Sequence, residues 1–229
     1  PMSWQGLKLS DWRKGGNALR TAAWYLPREL VFPSVALTVG GEDLLVMAHP
    51  DEKLDPNSAE WRMARELGVA EAPALTTLLR LCEKPSDMQP SLPLKFLIQN
   101  LGRHNYLLTR SHKPLKIWPC LPPSIGRESE AKSDAITLCS SEQCCLLPNP
   151  FLPELMPDVV KLAADVSQLQ LRDLPPLDVC VDRLISKPPR THETAALVFE
   201  FMCKRVGAER GLSLELKELL MDSKFVFVA

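Results

Sequence analysis

Few residues in this 229-residue chain are spaced for chemistry. His192-Glu193 opens like the helix of a zinc protease, which needs a second His four residues after the first. Position 196 is Ala196, so two imidazoles do not share a helical face. The simpler reading of Glu193 is an acidic charge at a helix N-terminus. Cys120, Cys139, Cys144 and Cys145 are near one another in sequence, but a structural zinc site needs four converging ligands, usually in two close pairs. On a strand, the adjacent Cys144 and Cys145 would point to opposite faces. These cysteines read as buried or half-buried thiols, and no metal site is expected.

Val39-Gly40-Gly41-Glu42-Asp43 lacks the Lys and the following helix of a phosphate loop, so it reads as a turn. No Gly-x-Ser-x-Gly elbow occurs, which leaves a serine hydrolase without a nucleophile motif. A Cys nucleophile would show itself as one thiol that reacts far faster than the others, and nothing in the sequence singles one out. The expectation is therefore a non-catalytic chain without a cofactor.

One stretch is uneven in charge. Arg103, His104, Arg110, His112, Lys113 and Lys116 occur with no Asp or Glu among them, and Tyr106 sits inside the run. These seven residues are the candidate contacts to phosphates or to an acidic partner. The alternative is a solvated loop with cations near a helix C-terminus.

Composition narrows the rest. A hydrophobic share of 45% and a charged share of 24% fit a globular protein with a sizeable core. The net charge of −1 predicts no general attraction to nucleic acid or to anionic membrane. The odd count of 7 Cys, without paired spacing or a leading basic and apolar segment, suggests reduced thiols in an intracellular setting, cytoplasmic or nuclear. No apolar run approaches the roughly 18 residues that span a bilayer. Pro1-Met2 reads as the remnant of a cleaved tag, and the ending at Val228-Ala229 directly after an apolar run suggests a piece of a longer protein.

The elements that would position these residues follow from periodicity. Gly15-Gly16 interrupts any long helix near the start, and Ala22 to Leu30 suggests a short helix broken at Pro27. Val31 to Leu37 and Asp43 to Met47 read as a hairpin turned at Gly40-Gly41, with Pro33 marking an edge strand. A helix over 58–67 is capped by Asn57 or Ser58, faces inward through Ala59, Met63, Ala64 and Leu67, and ends at Gly68. Further helices are expected over 75–82 and 92–101, the latter stopped by Gly102. Tyr106 to Leu115 fits no single element. Ile117 to Leu121 reads as a strand with an internal proline.

Residues 123–134 are the expected linker, between a first module at 1–122 and a second at 135–229. In the second module, Ile136 to Cys139 should pair with Cys144 to Leu147, followed by a helix over 155–169 with Val159, Leu162, Ala163 and Val166 on one face. The clearest helix is His192 to Val206, capped by Thr191 and ended by Gly207. Its apolar stripe is Ala195, Phe199, Met202 and Val206, with Ala196 and Cys203. Ser213 caps a last helix over 214–221 that should bury Leu216, Leu219 and Leu220. Lys224 to Val228 should then form a strand.

The modules echo each other. Leu67-Gly68-Val69 with Pro73-Ala74-Leu75 parallels Leu169-Gln170-Leu171 with Pro175-Pro176-Leu177. Lys84-Pro85 parallels Lys187-Pro188, and Phe96-Leu97 before Gly102 parallels Phe199-Glu200 before Gly207. The offset stays at about 102–103 residues, as in an internal repeat. Leu44-Leu45 with Pro50 also parallels Cys145-Leu146 with Pro150.

Leu67-Gly68-Val69, Pro175-Pro176-Leu177, Ala195 to Phe201 and Phe225 to Val228 together resemble the middle region of large fungal proteins that carry an N-terminal Hsp90-type (GHKL) ATPase domain. Those proteins are similar to sacsin and to the plant NO VEIN protein. The resemblance covers most of the chain through structural motifs. It departs at Phe227 and Trp118, near where the family strand favours Pro or Ile. None of the family's ATP-binding residues map here, so the resemblance implies that nucleotide binding belongs to another domain.

The sequence thus predicts an α+β fold, mainly helical, with two tandem modules of short helices plus a β-hairpin, similar to winged-helix units. The resemblance implies a non-catalytic protein-interaction or scaffold region of a larger, chaperone-like ATPase, with protein partners or flanking domains and no membrane. The alternative is a nucleic-acid-binding module that uses a winged-helix-like surface around Arg103 to Lys116.

Overall fold

The computed structural model describes residues 4–14, 22–48, 57–84, 91–112, 114–123, 136–163, 169, 171–209 and 211–223. Among these the fold is α+β, with nine α-helices and two antiparallel three-stranded sheets. No described helix is long and apolar enough to cross a membrane. The chain forms two compact units, Pro1–Leu107 and Leu108–Ala229. The division comes before the expected linker, so the strand around Trp118 opens the second unit. Residues 124–135, which hold most of that linker, lie outside the described residues.

The sheet of the first unit has the order β2-β1-β3, from β1 (Trp4–Lys8), β2 (Ala23–Tyr25) and β3 (Leu45–Met47). The central strand places Gly6 opposite both Ala23 and Met47. A Cβ on Gly6 would come within 2.3 Å of the Leu30 side chain, so a larger residue there would force Leu30 to shift. Helix α1 (Leu9–Trp12) follows β1 directly. The expected helix over 22–30 is instead β2 and a short three-ten helix at Pro27–Glu29.

The expected hairpin of 31–37 with 43–47 also does not form. Pro33–Val39 is helix α2, and β3 pairs with β1. The apolar run Val31 to Leu37 suggested a strand, and its β-branched Val31 and Val35 favour one. Three features override them. Pro33 sits in the first turn, Gly40 ends the helix in the left-handed conformation at φ 73°, and Pro33, Ala36 and Val39 are buried at helical spacing. Val31 still contributes, through isolated parallel bridges to Val46 and Ala70.

Helix α3 (Ala59–Glu66) is capped by Ser58, whose hydroxyl accepts from the Trp61 amide. Gly68 leaves the helix at φ 99°. The inward face is Trp61 and Ala64, whereas Met63 is 52% exposed, so the helix is rotated from the expected stripe. Trp61 stacks on Phe32, centroids 3.7 Å apart, in a core with Leu30, Met47 and Val69. Helices α4 (Leu75–Glu83) and α5 (Leu92–Asn100) occur as expected. After α5 the positive φ belongs to Asn105, not to Gly102.

The second unit repeats this strand order. β4 (Trp118–Leu121) is central, between β5 (Thr137–Cys139) and β6 (Glu154–Leu155). Pro119 is tolerated in a central strand because its carbonyl is still used, accepting from the Met156 amide at 3.0 Å. Cys144 to Leu147 is not the partner of β5. Cys145 makes isolated parallel bridges to Glu154 and Arg172, as Val31 does to Val46 and Ala70 in the first unit.

Helix α6 (Pro157–Ala163) buries Val159 and Ala163. Residues 164–168, with Val166, lie outside the described residues. Helices α7 (Leu177–Ser186), α8 (His192–Ala208) and α9 (Leu214–Met221) form a core with Phe151, in which Cys180, Val181, Leu184, Val198 and Met202 are buried. Helix α8 runs through Gly207, and the left-handed turn comes at Gly211. Its buried face is Thr194, Ala195, Val198 and Met202. Ala196 and Cys203, expected inward, are exposed, because the stripe centres one residue away from the predicted one. Helix α9 buries no residue fully. Leu216 and Leu220 pack partly on the core, and Leu219 is exposed. The expected strand at 224–228 lies outside the described residues.

Candidate functional site, an arginine-lined cleft

The division at Leu107–Leu108 falls inside the basic stretch, so its residues belong to different units. In the first unit Arg103 is exposed, and His104 is half-buried with its ring 5.8 Å from that of Tyr106. Tyr106, expected to meet a partner, is instead buried, and its hydroxyl donates to the Pro73 carbonyl. Burial pushes its phenol up to about 12. It holds the chain after α5 against the segment before α4.

In the second unit Arg110 and His112 lie in a short three-ten helix. The His112 ring accepts at Nδ1 from the Thr109 amide at 2.9 Å, a local loop closure. Lys113 lies outside the described residues. Lys116 is exposed and close enough to Cys139 to lower the pKa of that thiol.

Arg103 and His104 are not alone on this surface. They line a cleft of about 580 Å³ in the first unit, together with Arg62 and Arg65 of α3. Because Trp61 and Ala64 turn inward, Arg62 and Arg65 stand one turn apart on the outer face of the helix. Asn100, at the end of α5, also lines the cleft and donates to the Phe96 carbonyl at 2.8 Å. Trp61 and Phe96, both buried, contribute apolar wall.

The charge balance is cationic. Arg65 pairs with Glu71 at 3.1 Å, and Glu71 is the one carboxylate among the described lining residues. Arg62 and Arg103 have no ion pair among the described residues. Among the described residues the cleft therefore presents two guanidinium groups without an ion pair and a third that is shared. Such a surface recognises carboxylates or phosphates through forked, charge-assisted hydrogen bonds. The sequence signal for it was the pair Arg62 and Arg65, legible only once Trp61 is placed on the buried face.

The cysteines also take definite places. Six are buried, and Cys203 is exposed. Cys139 and Cys144 lie close enough to Cys120 to affect its ionisation. Among the described residues no group of three or more His, Cys, Asp or Glu is arranged to hold a metal.

The family profile described as "Protein of unknown function (DUF3684)" matches residues 16–229. The chain belongs to this family. No curated protein matches the chain, and no solved structure matches it. The matched span runs through both units, so the cleft and the thiols are parts of a DUF3684 chain.

Proposed function

We propose that this DUF3684 chain is a non-catalytic interaction region of a larger, chaperone-like ATPase. In this reading it holds an acidic segment of a protein partner, or of a flanking domain, in the arginine-lined cleft. The observation that carries it is the juxtaposition of Arg62, Arg65 and Arg103 around an open cleft in which Glu71 is the one carboxylate among the described lining residues. An extended acidic segment suits such a cleft, because several carboxylates can engage the separate guanidinium groups in turn. The overall charge of −1 supports a local rather than a general attraction for anions. The scaffold role within an ATPase rests on the resemblance of the helix and strand motifs.

The test is fluorescence anisotropy with a labelled octaglutamate peptide, alongside duplex and single-stranded DNA of similar charge, each at two salt concentrations. The proposal expects saturable binding of octaglutamate that weakens with salt. No binding of octaglutamate at low salt overturns it. The arginines also favour phosphate, which keeps a nucleic-acid reading in play. DNA bound more tightly than octaglutamate, with a steep salt dependence, would replace the first reading with that one.

A further inference from the structure

We infer that Cys139 and Cys120, on one face of the β4–β5 pair, are an oxidation site at which hydrogen peroxide produces a cross-strand disulfide. Register puts the two thiols on one face of the sheet, on a diagonal. Trp118 is directly opposite Cys139, and Cys120 is opposite Thr137. Residues two apart on a strand share a face, so Cys120 is the diagonal neighbour of Cys139. Their side chains are close enough for each to shift the ionisation of the other.

The environments of the two sulfurs are unequal. Cys120 is fully buried, with its sulfur 3.4 Å from the Trp118 carbonyl oxygen and with Cys139 and Cys144 beside it. A thiolate there would face a carbonyl and two sulfurs in a dry site, so Cys120 keeps its proton. Cys139 is 6% exposed and closes β5. The Cys120 side chain, whose thiol donates to the Trp118 carbonyl, lies beside it, with the Thr137 hydroxyl and the Lys116 ammonium nearby. Together they outweigh burial and lower its pKa. A thiol whose ionisation is favoured, beside a second thiol that stays protonated, is the arrangement of a sensing cysteine with its resolving partner.

The chemistry balances. The Cys139 thiolate attacks one oxygen of hydrogen peroxide, an S–O bond forms and the O–O bond breaks. Hydroxide leaves, and Cys139 becomes a sulfenic acid. The Cys120 sulfur then attacks the sulfenic sulfur and displaces its hydroxyl, which departs as water with the Cys120 proton. Two sulfurs are oxidised by one electron each, and one peroxide is reduced to two waters. Closing the bond requires the two β carbons to approach about 3.8 Å.

The test uses the full chain carrying Cys203→Ser, which removes the exposed thiol. The reduced protein is treated with hydrogen peroxide, alkylated under denaturing conditions and mapped by mass spectrometry. The expected result is loss of two thiols together and a cross-linked peptide joining Cys120 to Cys139. In the same background Cys120→Ser should accumulate a sulfenic acid at Cys139 that dimedone traps. If Cys203→Ser folds poorly, the natural chain with Cys203 alkylated beforehand takes its place. Three results each overturn the inference. They are a cross-link that uses another pair, oxidation of Cys82 or Cys180 ahead of Cys139, or no loss of thiol at peroxide concentrations that oxidise free cysteine.

Discussion

The hydroxyl of Tyr106 donates to the carbonyl of Pro73, 33 residues earlier in the chain. The second unit solves the same problem with different chemistry. There Arg205 of α8 donates to the carbonyl of Pro175, which precedes α7 as Pro73 precedes α4. Both carbonyls belong to the extended segment that leads into a helix, where the backbone has no ladder partner of its own. A side chain from the later part of each unit supplies the donor.

Tyr106→Phe should therefore destabilise the protein by about 1–3 kcal/mol, the cost of leaving a buried acceptor unpaired. The effect has a pH signature. The unfolded chain releases a phenolic proton near pH 10, roughly the ordinary value, whereas burial holds the folded one to about 12. The stabilisation is complete below the lower value and is lost as pH rises through the upper. Urea unfolding of both proteins across this range should show a constant stability gap that narrows above about pH 10. A gap that widens there contradicts the assignment.

Much of the fold could be read from single residues. Pro-x-Leu patterns before α4 and α7, and Ser or Thr before α3, α8 and α9, mark helix starts through local physics that needs no partner. What could not be read depended on distant partners. The sequence sets 31–37 beside 43–47, but β3 pairs with β1, about forty residues away, and 33–39 turns helical between Pro33 and Gly40. The basic stretch was legible as charge. That Arg103 faces Arg62 and Arg65 was not, because it depends on which side of α3 carries Trp61. Tyr106 looked available for contact only because its acceptor lies 33 residues away.

Asn149 is a polar residue in the core of the second unit. Its Oδ1 accepts from the amides of Phe151 and Leu152 at 3.1 and 2.7 Å, and its Nδ2 donates to the Leu147 carbonyl at 3.3 Å. This turn aims Phe151 at α7 and α8, where it meets Phe201 edge-on. Asn149→Ala should cost about 1–3 kcal/mol by denaturant titration, since two buried amides lose their acceptor. Asn149→Asp keeps the acceptor and should cost less.

Gly6→Ala tests the crowding at the centre of the first sheet. The added methyl would lie 2.3 Å from the fully buried Leu30 side chain and 3.1 Å from the Val46 carbonyl oxygen. Overpacking of this kind costs about 1–3 kcal/mol. Gly102→Ala meets nothing within 4 Å and should leave the unfolding midpoint nearly unchanged. Equal midpoints for the two variants would contradict the packing of β1 against Leu30.

Thiol reactivity should sort by burial and ionisation. Cys203 is exposed, whereas burial pushes the Cys82, Cys145 and Cys180 thiols up to about 12. Thiolate is the reactive form, so under native conditions a disulfide reagent should label Cys203 first and these three last. Rapid labelling of Cys180 would show that the core of the second unit opens readily.

The most direct test of the cleft compares two charge reversals of equal size. Arg62→Glu with Arg103→Glu changes the cleft, and Lys187→Glu with Lys217→Glu changes exposed sites in the second unit by the same net charge. Affinity for labelled octaglutamate is measured for both at low salt. A local site predicts a loss of about tenfold or more for the arginine pair and only a small change for the lysine pair. Equal losses, or none for the arginine pair, would contradict the claim that Arg62 and Arg103 form a binding site for acidic segments.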